Sequence, residues 1–261
     1  MHEYDNFDVT HEDGVAWLAI ESETAMNSLN DGMTEELLQL ATDLGEDDDV
    51  RCIVLRGSDG VFCAGGNITS FDEGNAAAGM RRGASFFHDL VVQLKAVETP
   101  VVTGIDGPGV GAGFSIALLG DVSVMHEDAY LQYGYPGIGL TGDGSSTYYL
   151  PRIVGLQEAK RIALLNEKVP AEEADDLGLV TEVASADAFE DRLAEVATQL
   201  ADGPTKALGR IARMLEDSYA RQLPDQLAEE TDQMARTTRT GDYSEGVRAF
   251  KEKRDPEFQG R

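Results

Sequence analysis

At 261 residues, 42% of them hydrophobic and 26% charged, the chain is long enough for one large domain with a substantial core. Its 48 acidic residues against 21 basic give a formal net charge of −27 at pH 7, a surface that repels nucleic acid and anionic membrane alike. Two cysteines, Cys52 and Cys63, exclude a disulfide framework, and every apolar run is cut by Gly or Asp well short of about 18 residues.

The opening Met1-His2-Glu3-Tyr4-Asp5 lacks the basic-then-apolar order of a signal peptide, so a cytoplasmic protein is expected. Acid is spread over every segment rather than gathered in a tail. That pattern reads as a hydrated surface suited to high salt, where screening removes most self-repulsion, and points to a halophilic source.

Val15–Ile20 predicts a strand. Asn30 or Asp31 then caps a helix whose apolar stripe is Met33, Leu37, Leu40 and Leu44. After the acidic loop Glu46–Asp49 comes a strand over Val50–Leu55, a turn at Gly57-Ser58-Asp59-Gly60, and the glycine turn Ala64-Gly65-Gly66-Asn67-Ile68 behind Val61-Phe62-Cys63. Phe87, Leu90, Val91, Leu94 and Val97 mark a helix that runs up to Pro100. Val101–Ile105 suits a buried strand. It breaks into Gly107, Gly109, Gly111 and Gly113 at alternate positions and resumes as an apolar run of helical length. A strand at Val122–Met125 and an irregular Tyr- and Gly-rich segment, Tyr133–Gly144, follow. From Ser145 onward the pattern is almost entirely helical, with Pro151, Gly155, Pro170, Gly178, Pro204 and Pro224 as punctuation. Strands alternating with helices, then helices alone, argue an α/β core with a helical C-terminal part.

The stretch Val101–Asp121 organises the rest. A glycine turn feeding a buried helix lets backbone approach a ligand and leaves the first N–H groups of the helix pointing out, ready for a phosphate or the oxygen of a polarised carbonyl. Gly107–Ala112 approximates a dinucleotide fingerprint, with Glu127 about twenty residues on. Only about eight residues separate that loop from Asp121, too few for a crossover helix. Gly113-Phe114-Ser115-Ile116-Ala117 approaches a nucleophile elbow, but only His126 follows it.

Six pieces in order carry a resemblance that spans nearly the whole chain: Ala25–Leu29, Phe62–Ile68, Gly107–Asp121, Leu150–Gly155, Ala171–Val183 and Glu245–Arg254. Together they resemble the crotonase family, the enoyl-CoA hydratase/isomerase superfamily. The resemblance implies an α/β fold, a crotonase spiral of ββα units over residues 1–200, with a helical C-terminal oligomerisation region over 201–261. It implies a homotrimer or homohexamer that takes an acyl-CoA substrate and needs no metal or further cofactor beyond the CoA that the substrate carries. The backbone N–H groups of Gly66 and Ala112 would bind the thioester oxygen, with Ala64, Gly65, Ile68, Gly111 and Tyr135 around substrate and CoA. Lys251 and Lys253 would serve the CoA phosphates or form a solvated helical face. Glu21-Ser22-Glu23 replaces the family's Asn-Arg-Pro and removes a basic residue there, and Asn67 stands where the family usually has Asp.

Hydratases of this family carry two glutamates that hold water, and ungapped alignment puts those positions on Ser115 and Tyr135. Neither side chain replaces a carboxylate that activates water near neutral pH. Asp143 falls where isomerases of the 1,2-epoxyphenylacetyl-CoA type, and some dehalogenases, carry a catalytic aspartate. One carboxylate suffices to carry a proton between carbons, which favours a double-bond isomerase over a hydratase. A dehalogenase would use Asp143 as a nucleophile with His88 as partner base; a non-catalytic homologue is a further alternative. Tyr133, Tyr135, Tyr148 and Tyr149 line an acyl pocket or belong to the core.

Overall fold

The computed structural model describes residues 4–22, 25–67 and 76–261. Val15–Ile20 forms strand β2, as its apolar run predicts, paired with an antiparallel neighbour that the apolar pattern does not reveal, β1 (Phe7–Glu12). Phe7 alone is fully buried in β1, an edge strand, so little apolar alternation marks it.

On its other side β2 runs parallel to β3 (Cys52–Arg56), and the sheet continues through β4 (Val101–Ile105), β6 (Val122–His126) and β9 (Glu182–Ala184), all parallel. The order is β1-β2-β3-β4-β6-β9. Successive side chains of a strand point to opposite faces. Ile53 and Leu55 therefore enter the larger core with Leu18, Leu37 and Leu40. Cys52 and Val54 turn to the other face, with Val102 of β4 and against Phe189 and Leu193 of helix α7 (Phe189–Ala201). With both faces covered, the inner strands read as unbroken apolar runs.

Helix α1 (Asp31–Glu46) buries the predicted stripe, and Asn30 is its cap, accepting the Met33 N–H at 2.8 Å. Such a cap contributes about 1 kcal/mol. Helix α2 (Ala76–Ala96) packs on α1 and buries Phe87, Leu90 and Leu94. The glycine stretch forms β5 (Gly109–Val110) and helix α3 (Ala112–Ala117). The apolar run promises a longer helix. It stops at Ala117, whose carbonyl accepts the Thr103 hydroxyl of β4 at 3.2 Å, and Leu118 and Leu119 close it as a turn.

β5 joins β7 (Tyr130–Gln132) and β8 (Lys168–Pro170) in a second sheet of three short strands. The stretch after Ser145, almost entirely helical by pattern, thus also contributes the short strands β8 and β9. Helices α4 (Ser146–Val154) and α5 (Leu156–Leu165) precede β8, and α6 (Ala171–Asp176) follows it. Within Ala171–Val183 the helix ends ahead of Gly178-Leu179-Val180, where Gly178 takes φ +69°, and the chain re-enters the main sheet as β9. Helices α8 (Thr205–Asp217), α9 (Leu223–Thr237) and α10 (Gly241–Glu252) complete the fold. Among the described residues no helix is long and apolar enough to cross a membrane.

Candidate active site

The two glycine turns meet. Cys63 donates its N–H to the Pro108 carbonyl at 3.0 Å and accepts the Val110 N–H at 2.9 Å, stitching the first loop to β5. A Cβ on Gly65, at φ +98°, would stand 2.9 Å from the Val110 carbonyl oxygen and 3.7 Å from the Ala112 nitrogen. A Cβ on Gly113 would overlap the Cys63 carbonyl. These contacts require glycine, and they bring Gly66 and Ala112 to neighbouring loop tips. Gly111, at φ +59° and ψ −116°, turns the chain into α3 while its N–H is held by the Gln132 carbonyl at 3.1 Å. Among the described residues neither the Gly66 nor the Ala112 N–H has an acceptor.

Asp143 lies beside α3. Its backbone carbonyl accepts from the Ser115 hydroxyl at 2.8 Å, the Ser146 hydroxyl at 2.8 Å and the Ser146 N–H at 3.2 Å, and lies 3.3 Å from the Tyr135 hydroxyl oxygen. Ser115 and Ser146 are fully buried and Tyr135 nearly so. Burial pushes the Tyr135 phenol well up, against a smaller opposing effect of the Ser115 hydrogen bond, so it remains a protonated donor. The loop has no slack on either side. A Cβ on Gly142 would overlap the Tyr133 hydroxyl, and one on Gly144, at φ +57°, would overlap the Phe87 ring. Asp143 presents its carboxylate outward, where Oδ1 lies 2.6 Å from His88 Nε2 on α2. Both side chains are partly exposed, so the carboxylate does not sit in a wholly apolar pocket.

The structure thus brings together Gly65, Gly66, Gly111 and Ala112 in one cluster, and Ser115, Tyr135, Asp143 and His88 in another, joined by α3. Ala64, in the first loop, donates its N–H to the Met26 carbonyl at 3.1 Å. Ile68 lies outside the described residues. Lys251 and Lys253 are exposed at the C-terminal end of α10. Ser146 was missed from sequence. Its signal was a serine three residues after Asp143 at a helix start, an ordinary capping pattern.

Rival chemistries lose support here. α3 spans six residues, no crossover helix of a dinucleotide fold. His126 meets the Phe189 ring edge to face at 5.5 Å between centroids, while Ser115 is buried against Tyr135 and Asp143. Burial raises the Cys63 thiol to about 11, so it is no thiolate nucleophile. Among the described residues no three His, Cys, Asp or Glu side chains gather to hold a metal ion.

Known proteins resemble this chain in sequence and in fold. The family model described as enoyl-CoA hydratase/isomerase matches residues 10–261. A 1,2-epoxyphenylacetyl-CoA isomerase of Escherichia coli is 32% identical over 253 residues, 96% of this chain and 97% of that protein. A probable enoyl-CoA hydratase of Rhodobacter capsulatus is 34% identical over 253 residues, 95% of this chain and 96% of that one. A 4-chlorobenzoyl coenzyme A dehalogenase of Arthrobacter is 31% identical over 248 residues, covering 94% of this chain and 90% of its own. The crystal structure of a putative enoyl-CoA hydratase/isomerase from Mycobacterium abscessus superposes with a TM-score of 0.91 at 31% identity, covering 98% of this chain and 100% of that one. With its glycine loops paired and its core built on the same spiral, the chain belongs to the enoyl-CoA hydratase/isomerase family and has the crotonase fold.

Proposed function

We propose that this enzyme moves a carbon–carbon double bond along an enoyl-CoA through an oxyanion-stabilised thioester enolate. The observation that carries the reading is the pair Ser115–Tyr135. Where the resemblance places the two water-holding glutamates of hydratases, two hydroxyls bond to each other at 2.9 Å and leave Asp143 as the acid of the cluster. The Asp143 carboxylate takes the proton from the α-carbon of a 3-enoyl thioester. The C–H electrons shift toward the carbonyl, and the developing oxygen charge is met by the Gly66 and Ala112 N–H groups. The same carboxylic acid returns the proton at the γ-carbon, giving the 2-enoyl thioester with no net change in composition. Fixed backbone donors suit this step, and losing one costs about 2.7–4 kcal/mol in the barrier.

The test offers 3-enoyl-CoA and 2-enoyl-CoA in parallel, with products separated by mass and retention time. Conversion of the 3-enoyl compound at unchanged mass is expected, and Asp143→Asn should lower turnover on the order of 10²–10⁴-fold with acyl-CoA binding intact. Rapid formation of 3-hydroxyacyl-CoA would transfer the reading to hydration. A second reading, dehalogenation of an aromatic CoA ester, is favoured by the His88–Asp143 contact alone. It predicts halide release from a haloaryl-CoA.

Two further readings go with this one. Leu215, Tyr219, Leu223 and Met234 are exposed along α8, α9 and the turn between them, a face suited to the trimer or hexamer that the resemblance implies. The net charge of −27 suits a high-salt interior.

A further inference from the structure

Ser115 touches both halves of the site. Its N–H donates to the Gly111 carbonyl at 3.1 Å, within the turn that presents the Ala112 N–H, and its hydroxyl reaches the Asp143 carbonyl at 2.8 Å. A hydroxyl carries one proton. The shorter contacts assign the Ser115 O–H to the Asp143 carbonyl at 2.8 Å rather than to the Gly111 carbonyl at 3.3 Å, and then the Tyr135 O–H to Ser115 Oγ across 2.9 Å. Ser146, at the first residue of α4, holds the same carbonyl from the opposite element. One main-chain oxygen is thereby tied to α3, to the turn after β7 and to α4, all through buried groups.

We infer that Ser115 is a positioning residue that fixes the Asp143 carboxylate relative to the Ala112 N–H, with Tyr135 orienting its proton and Ser146 as the second tie. This rests on the isomerase reading and deepens it. A proton moved between two carbons of one bound enolate must start and end within reach of a single carboxylate, while the oxyanion stays on Ala112. The separation of donor and base is therefore the quantity that the site must hold constant, and an error of about 1 Å costs on the order of 10²-fold. The tie runs through the Asp143 backbone and sets where the carboxylate is rooted, while His88 Nε2, 2.6 Å from Oδ1, meets its outer end.

Ser115→Ala removes one oxygen from a buried position, and Tyr135→Phe removes the orienting proton but leaves the Ser115 bond possible. Each is compared with the unaltered protein on 3-enoyl-CoA carrying deuterium at the α-carbon, alongside amide hydrogen exchange over residues 142–147. The expectation for Ser115→Ala is kcat lower by roughly ten- to a hundredfold at unchanged KM. Less label is carried to the γ-carbon, and the Ser146 amide exchanges faster. Tyr135→Phe shows the same changes, smaller. A rise in KM at constant kcat, or label transfer and amide exchange equal to the unaltered protein, overturns the inference, because a merely structural serine would leave label transfer alone. If the unaltered protein leaves 3-enoyl-CoA untouched, the isomerase reading fails, and amide exchange alone then decides whether Ser115 holds the Asp143 loop.

Discussion

His88 Nε2 on α2 lies 2.6 Å from Asp143 Oδ1, joining two residues 55 positions apart. In an isomerase the imidazole orients the carboxylate. In a dehalogenase it would activate water against an aryl ester formed on Asp143. Gln retains an N–H donor at similar reach but is no base near neutral pH. His88→Gln should therefore keep isomerisation within a few-fold, and His88→Ala should lose more, about tenfold. If the protein instead dehalogenates, both variants stall with an aryl group attached to Asp143, visible as added mass on the intact protein.

The approach of the two glycine loops sets a second expectation. Gly113→Ala drives a Cβ into the Cys63 carbonyl, backbone that cannot swing aside. Overpacking of this kind costs about 1–3 kcal/mol and parts the loops that present Gly66 and Ala112. Activity should fall together with Tm. Gly79, exposed within α2, has nothing within 4 Å of an added Cβ, so Gly79→Ala should raise stability by about 0.5–1 kcal/mol. Thermal unfolding of the two variants, opposite in sign, checks the reading of both glycines.

What was legible in the sequence was whatever a single element states by itself. Met33, Leu37, Leu40 and Leu44 mark the buried face of α1, and Asn30 its start. The paired glycine turns announced themselves because close backbone approach admits no other residue. β1, β5, β7, β8 and β9 did not, since strands of two or three residues, or an edge strand with one buried side chain, carry too little periodicity to stand above loop. Asp143 was legible as a candidate. The convergence of Ser115, Tyr135 and Ser146 on its carbonyl was not, because nothing in residue identity states which way a main-chain oxygen points.

The C-terminal tail is strapped to α10 by carboxylates, and its stability should depend on acid in a defined direction. Buried Asp242 accepts the N–H groups of Gln259 at 2.6 Å and Gly260 at 2.9 Å. Glu245 takes Arg254 at 2.6 Å, the Glu257 N–H at 3.1 Å, and Arg248. Those partners, Arg254 foremost, hold the Glu245 carboxyl down at about 2, below its ordinary 4.5. A folded-state pKa below the unfolded one gives stability that is full above about 4.5 and is lost as pH falls toward about 2. Glu245→Gln should flatten that part of the stability–pH curve. Asp242→Ala should cost about 1–3 kcal/mol at neutral pH and expose residues 253–261 to protease. An unchanged digestion pattern would mean that the strap holds by other contacts.

Salt sets two effects against each other. Ion pairs such as Arg192–Glu182, Arg221–Asp217 and Arg236–Asp232 are partly exposed and weaken as salt is added, but each is worth only about 0–1 kcal/mol. Against them stands the mutual repulsion within a surface of net charge −27. The Debye length shrinks from about 10 Å at about 0.1 M to about 3 Å at about 1 M, which removes most repulsion between acids that are not in contact. Many weak repulsions over the whole surface outweigh a few weak attractions, so Tm should climb by several degrees over that range in KCl, at about 2–4 °C per kcal/mol for a chain of this size. A falling Tm would show that the exposed ion pairs outweigh the repulsion and would remove high salt as the reason for the acidity. An equal rise in KCl and in sodium sulfate at matched ionic strength would mark screening as the cause, whereas a larger rise in sulfate would assign it to exclusion of that salt from apolar surface.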